Sequence, residues 1–226
     1  MFSYVFMKIL ESRPRSYDRN MNRVTAGRML QIKRSVSALV PSDSRVLEIG
    51  CGAGELAFMC LDRGAVVDGF DLNPKMVDVV RKRIASGHLE NKLHVQQMGV
   101  DGMDKFPGST YDVVVSTLAL SELSDDERRY ALKHAFRVLR PGGRIVIADE
   151  VVPRTAGRRI LYKLIRMPML MVTFLVSGDA TRPVSELSKE LTAAGFTLKN
   201  EARSQGDAFA IVLGLKPTAE TINESH

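Results

Sequence analysis

The sequence predicts an α/β protein built on a doubly wound, mostly parallel sheet, and three observations carry that prediction. From Arg45 onward, short Val- and Ile-rich runs alternate with longer amphipathic ones, the rhythm of βαβ units. A glycine-rich turn, Gly50-Cys51-Gly52-Ala53-Gly54, follows the first apolar run directly and opens a helical stretch, which is where an open α/β sheet places its ligand-binding turn. A chain of 226 residues with 45% hydrophobic and 26% charged content has the profile of one globular domain, and it shows neither repeats nor low-complexity tracts.

The strand-like runs are Arg45 to Ile49, Val66 to Asp71, Leu93 to Met98, Asp112 to Thr117 and Arg144 to Asp149, short and apolar enough to be buried parallel strands. Between them, Glu55 to Arg63, Asn73 to Ser86 and Asp125 to Leu139 carry apolar residues at helical spacing. Arg140-Pro141-Gly142-Gly143 reads as the stop signal of the last of these helices. Further on, Pro183 to Ala194 reads as a helix ending at Gly195, followed by strands Phe196 to Ala202 and Phe209 to Leu215. The turn between those two strands, around Gln205-Gly206-Asp207, is too short for a parallel crossover, so they form an antiparallel hairpin at the sheet edge. The expected organisation is a single domain. Residues 1–39 form an N-terminal helical cap, 40–150 the core, 151–183 an apolar and basic insertion, 184–216 a helix and hairpin, and 217–226 a flexible tail.

Composition excludes several classes. Cys51 and Cys60 are the two cysteines, too few for a disulfide scaffold or a four-ligand zinc site. His88, His94 and His134 have no ligand-like spacing, so no metal is expected. The first residues, MFSYVFMKIL, lack a basic leader and a small-residue cleavage site, so the expectation is a cytoplasmic protein, peripheral at most on the inner face of the membrane. The longest uncharged apolar run, Met167 to Val176, is about half of the roughly 20 residues a spanning helix needs. Net charge is +6 and the sequence pI is near 9.4, which points to an anionic partner. Nucleic acid is disfavoured, because there is no Trp and few aromatics sit among the basic clusters.

The chemistry concentrates around the glycine turn. Glycines there let backbone approach a ligand closely and adopt conformations closed to other residues. The second strand ends in Asp71, placed to accept hydrogen bonds from both hydroxyls of an adenosine ribose. Nicotinamide-dependent oxidoreductases share such a βαβ unit but carry Gly-x-Gly-x-x-Gly; here the spacing is Gly-x-Gly-x-Gly, with Glu55 after Gly54, which argues against them.

The chain resembles the class I S-adenosylmethionine-dependent methyltransferases. VLEIGCGAGELA, VDGFDLNPKMV, YDVVVSTLALSEL and VLRPGGRIVIADE match that family's successive blocks in order and spacing, over roughly residues 17–215. Within the family it looks like the branch of quinone and sterol methyltransferases. The opening KILESRPRSYDRNMNRVTAGR and the insertion RILYKLIRMPMLMVTFLV are similar to corrinoid protein-associated methyltransferases, an association that leaves the methyl acceptor open. The resemblance implies a Rossmann-like, seven-stranded sheet with one antiparallel C-terminal strand. Its implied cofactor is S-adenosylmethionine, and its implied reaction is methyl transfer to a small-molecule or lipid acceptor that is at least partly apolar.

By that resemblance Gly50, Gly52 and neighbouring backbone line the methionine part of the cofactor, with Glu48 near its amino group. Asp71 holds the ribose hydroxyls and Leu72 lies against the adenine. Relatives often carry an Asp at the end of the third strand to meet the adenine amine; here Val100 falls there and Asp101 one place later. Tyr17 covers the cofactor, and Cys51, Gly54 and Ser116 complete the implied binding set. Cys51 also reads as a small apolar filler without chemical role. In-line methyl transfer is mostly a matter of positioning, and a base is needed only where the acceptor must lose a proton. Glu122, at the end of the fourth strand where many relatives carry His, is the candidate, with Asp149 or Glu150 at the end of the fifth. Alternatively, Glu122 caps the helix near Ser124, and Asp149 and Glu150 pair with Arg154 or Arg158.

The insertion supports two readings. Arg158, Arg159, Lys163 and Arg166 flank the apolar run 167–176, which suits either a lid over an apolar acceptor pocket or contact of residues 158–176 with an anionic membrane surface. A non-catalytic cofactor-binding or protein-interaction module would retain the glycine turn and Asp71 without turnover.

Overall fold

A computed structural model of the chain describes residues 17–162, 164, 184, 186–204 and 207–218. The apolar run Met167 to Val176 and the tail from residue 219 lie outside the described residues. Two N-terminal helices, α1 (Tyr17–Val24) and α2 (Arg28–Ala38), precede the alternating core. That core runs β1 (Arg45–Ile49), α3 (Glu55–Leu61), β2 (Val66–Asp71), α4 (Pro74–Gly87), β3 (Leu93–Gln97), β4 (Tyr111–Thr117), α5 (Asp125–Val138) and β5 (Leu139–Glu150). The chain then adds α6 (Leu187–Ala193), β6 (Thr197–Ser204) and β7 (Phe209–Leu215).

The seven strands lie in the order β3-β2-β1-β4-β5-β7-β6. Pairings from β3 through β5 are parallel, whereas β7 runs antiparallel to both β5 and β6. This is the expected mixed sheet with one reversed strand. Side chains along each central strand alternate between two cores. Leu47, Ile49, Val114, Ile145 and Ile147 join the core under α5 and α6. Val46, Val113, Val115, Val146 and Ala148 join the core under α2, α3 and α4.

The element boundaries explain themselves locally. Helix α4 opens with Asn73 accepting the Lys75 N–H and Pro74 in the first turn, and closes on His88 in the left-handed conformation. Helix α5 opens with a reciprocal capping box between Ser124 and Glu127, so Ser124, and not Glu122, caps it. The segment Arg140-Pro141-Gly142-Gly143 departs from expectation. It does end the helix, but it also belongs to β5, which starts at Leu139. Gly142, at φ +76°, lets the strand bulge while its N–H donates to the Lys216 carbonyl and Gly143 accepts from Lys216 N–H. The C-terminal helix is shorter than its periodicity suggests. Val184 instead bridges Val151 in parallel.

The order of strands reverses between β1 and β4. Ligands of such sheets bind at that switch point, outside the C-terminal strand ends.

Candidate functional site

A cavity of about 740 Å³ opens at this switch point, a size suited to a cofactor and a small acceptor. One wall is the glycine turn. Gly50 N–H and Cys51 N–H both donate to the Phe70 carbonyl at 3.0 Å, lacing the turn to the end of β2. Asp71 completes the lacing, with Oδ2 accepting Gly52 N–H and Oδ1 accepting Asn73 N–H, each at 2.8 Å. The glycines are required for different reasons. Gly50 has φ +70°, and a Cβ there would lie 2.4 Å from Ala119 Cβ; Gly52 has φ +52° but nothing within 4 Å of such a Cβ. The turn therefore presents an open cradle at Gly52 that any side chain would begin to fill.

Of the residues singled out in the sequence, Tyr17, Glu48, Gly50, Cys51, Gly52, Asp71, Leu72, Val100, Asp101 and Glu122 line this cavity. Leu72 is 73% exposed into it. A Cβ at Gly99 would lie 2.5 Å from Asp101 Oδ1 and 3.7 Å from Leu72 Cδ1, so Asp101 and Leu72 overhang one backbone position. Burial, with Glu48 and Asp71 beside it, pushes the Cys51 thiol well above its usual range, which keeps it protonated and unreactive.

Four other residues fall elsewhere. Gly54, at φ +86°, serves the entry of α3, where Val80 and Phe58 crowd it. Ser116 is fully buried and donates its hydroxyl to the Ile49 carbonyl at 3.1 Å, tying β4 to β1. Asp149 is fully buried and accepts from three backbone N–H groups. Glu150 accepts from the Tyr162 hydroxyl at 2.8 Å, and Arg154 pairs with Glu201.

Sequence reading missed part of the wall. Met21, Met29 and Lys33 reach the cavity from the N-terminal helices, and Leu118, Leu123 and Glu127 from the segment after β4. Helix α1 and α2 are held over the glycine turn through Glu55, which accepts from Asn22 Nδ2 at 3.0 Å and pairs with Lys33 Nζ at 2.9 Å. Arg83 of α4 donates to the Ala53 carbonyl and stacks 3.6 Å over Phe58. The amphipathic spacing of residues 17–38 was the available signal for the helices, but nothing local announced which face meets the ligand.

A doubly wound sheet with this glycine turn and this acid at the ends of β1 and β2 defines a protein that holds an adenosine-containing cofactor at its switch point. Comparison with known proteins makes the cofactor specific. Residues 46–143 match a family described as a methyltransferase domain. The chain is 30% identical over 196 residues to the demethylmenaquinone methyltransferase of Thermus thermophilus, covering 80% of this chain and 86% of that enzyme. It is 30% identical over 113 residues to a ubiquinone/menaquinone biosynthesis C-methyltransferase of Vibrio campbellii, covering 48% of this chain and 42% of that one. Among solved structures, the [4+2]-cyclase SpnF superposes with a TM-score of 0.67 at 18% identity, covering 84% of this chain and 82% of that chain. The chain belongs to the class I S-adenosylmethionine-dependent methyltransferases, in their quinone-methyltransferase-like branch, and S-adenosylmethionine is its cofactor.

Proposed function

We propose that this methyltransferase acts on a quinol-like or similarly apolar, ring-bearing acceptor, and that Glu122 takes the acceptor's proton. The observation that carries the reading is the two-sided cavity. Its cradle side has Gly52 and Asp71, with Met21 and Met29 of the overlying N-terminal helices, while Leu118 and Leu123 flank the single turn that bears Glu122. Methionines make adaptable contacts with aromatic rings. The likeness to a demethylmenaquinone methyltransferase over most of both chains supports the same class.

The residues present fit the cofactor. A carboxylate has about four lone-pair positions, enough for Asp71 to hold the turn and accept from both ribose hydroxyls. Leu72 and Val100 offer apolar faces for the adenine, and Asp101 an acceptor for its amine. Glu48 faces the cavity at the glycine turn, where it meets the amino group of the methionine moiety. When bound, S-adenosylmethionine supplies a methyl group on a sulfonium, a leaving group good enough that orientation dominates the rate. Glu122 would take the proton that the acceptor loses on receiving the methyl group. Tyr17, Met21 and Met29 cover the site from the N-terminal helices and limit water.

An apolar acceptor also gives meaning to the start of the insertion. Residues 156–162 are helical, with Tyr162 buried inward and Ile160, Leu161 and Leu164 between 57% and 67% exposed. Beside Arg158, this face suits an anionic lipid surface from which such an acceptor is drawn. No helix among the described residues is long and apolar enough to cross a membrane.

The test is methyl-labelled S-adenosylmethionine with purified protein and three probes: a 1,4-naphthohydroquinone, total membrane lipid, and the soluble small-molecule fraction, with Asp71→Ala as control. Label in the naphthohydroquinone or lipid that disappears in the control supports the reading. Label confined to the soluble fraction, as a corrinoid-linked acceptor would give, contradicts it.

A further inference from the structure

The segment that brings Glu122 into the cavity is one short 3₁₀ turn, Leu120–Glu122, closed by Glu122 N–H to the Ala119 carbonyl and Leu123 N–H to the Leu120 carbonyl, and joined to β5 by Leu118 N–H to the Ala148 carbonyl. Two buried charges hold it from outside. Asp149, fully buried at the end of β5, accepts the N–H groups of Leu120 at 2.9 Å and Ser121 at 3.1 Å through Oδ2, while Oδ1 accepts Glu150 N–H at 2.7 Å. Arg128 of α5, 4% exposed, works from the opposite side. Its Nη1 donates to the carbonyls of Leu123 at 3.1 Å and Leu120 at 3.5 Å. The rest of its guanidinium pairs with Asp125 and, at 2.7 Å, with Glu190 of α6. An anion thus takes the donors of the turn and a cation its acceptors, each at the end where the peptide dipoles favour it. The same turn places Ala119 against Gly50, so closely that a Cβ on Gly50 would overlap it, and Leu118, Ala119, Glu122 and Leu123 in the cavity wall.

We propose that Asp149 and Arg128 are positioning residues that clamp this turn, setting both the cofactor cradle at Gly50 and the direction of Glu122. The clamp rests on the reading of the cavity above only for Glu122; its effect on the cradle concerns S-adenosylmethionine alone. Neither residue touches the cavity. Asp149 was a candidate base in the sequence, and its burial replaces that role with this one.

The experiment uses the full chain at pH 7.5, with S-adenosylmethionine titrated by calorimetry and amide hydrogen exchange followed over residues 118–123. In Asp149→Asn an amide NH₂ or a single oxygen must face donors that need a carboxylate. Exchange at Leu120 and Ser121 is expected to speed up about tenfold and S-adenosylmethionine affinity to fall three- to tenfold, from loss of charge-assisted bonds. Amides of β1 to β3 should keep wild-type protection. Arg128→Lys keeps the charge but not the fork, and should produce the same pattern at smaller size. It also serves as the test if Asp149→Asn does not fold. In the double variant the loss should be smaller than the product of the single losses, because both act on one turn. A uniform drop in stability, with unchanged affinity in the folded protein and unchanged exchange at 118–123, would overturn the clamp. Because no acceptor enters these measurements, an incorrect acceptor class leaves the result intact.

Discussion

The two walls of the cavity are built by different means. On the β1–β2 side, position depends on backbone: Gly50 and Gly52 take positive φ, and the turn is laced to Phe70 and Asp71, both of the next strand. On the β4–β5 side, position depends on buried side chains brought from elsewhere in the chain, with Asp149 and Arg128 holding a turn that carries no glycine of its own. The first wall is therefore sensitive to added atoms and the second to removed charge. Each kind of wall suits its task. The cofactor needs close approach to backbone, whereas a base of the kind proposed for Glu122 needs to be aimed.

The contrast can be broken most forcefully at Gly50. Gly50→Ala puts a methyl group into Ala119 at a positive φ, so S-adenosylmethionine binding should fall by about 100-fold or more as turn and clamp are forced apart; calorimetry reads it. Glu122→Gln is isosteric, and by the proposed role it slows transfer to a proton-bearing acceptor by about 100-fold with cofactor affinity unchanged. Full turnover in that variant would remove Glu122 from the mechanism. Gly52→Ala meets open space, so its cost should be smaller: about 1 kcal/mol of stability for the left-handed backbone, and a weaker but measurable cofactor titration.

The smallest effect is a dependence on pH. Burial pushes Asp149 up from 3.8 to about 6, against the opposing pull of Ser121 and the Glu150 N–H. The folded chain thus binds this proton more tightly than the unfolded one, and the associated stability is complete below about pH 3.8 and lost as pH rises through about 6. Relative to Asp149→Asn, wild type should gain about 1 kcal/mol on going from pH 7.5 to 5, read by denaturant unfolding at both values. A constant difference would show that Asp149 does not titrate there.

What the sequence revealed follows the same division. The glycine turn, Asp71 and Leu72 were legible because their geometry is local, a strand end followed by residues that only a tight turn needs. Strands β1, β2 and β7 fell where their apolar runs placed them. Arg140-Pro141-Gly142-Gly143 was half legible, since the tetrapeptide that ends α5 is also the bulge by which β5 meets Lys216, a partner far along the chain. Asp149 looked like a base because it ends a strand beside the crevice; its actual partners lie 28 and 29 residues earlier. Arg128 carries no signal of its own within the helical run Asp125 to Leu139, yet it is buried and its guanidinium is satisfied by Asp125, α6 and the turn. Ser116, on the same face of β4 as Val114, is buried and spends its hydroxyl on the Ile49 carbonyl, a partner on a neighbouring strand that its place in the sequence does not announce.

The most direct test of the central claim is calorimetric titration of S-adenosylmethionine into wild type, Asp71→Ala and Glu122→Gln, with methyl transfer measured on the same preparations. Two walls with separate tasks predict that Asp71→Ala loses about 1.5–3 kcal/mol of cofactor binding while Glu122→Gln binds as wild type and transfers slowly. Wild-type affinity in Asp71→Ala would contradict the account at its base.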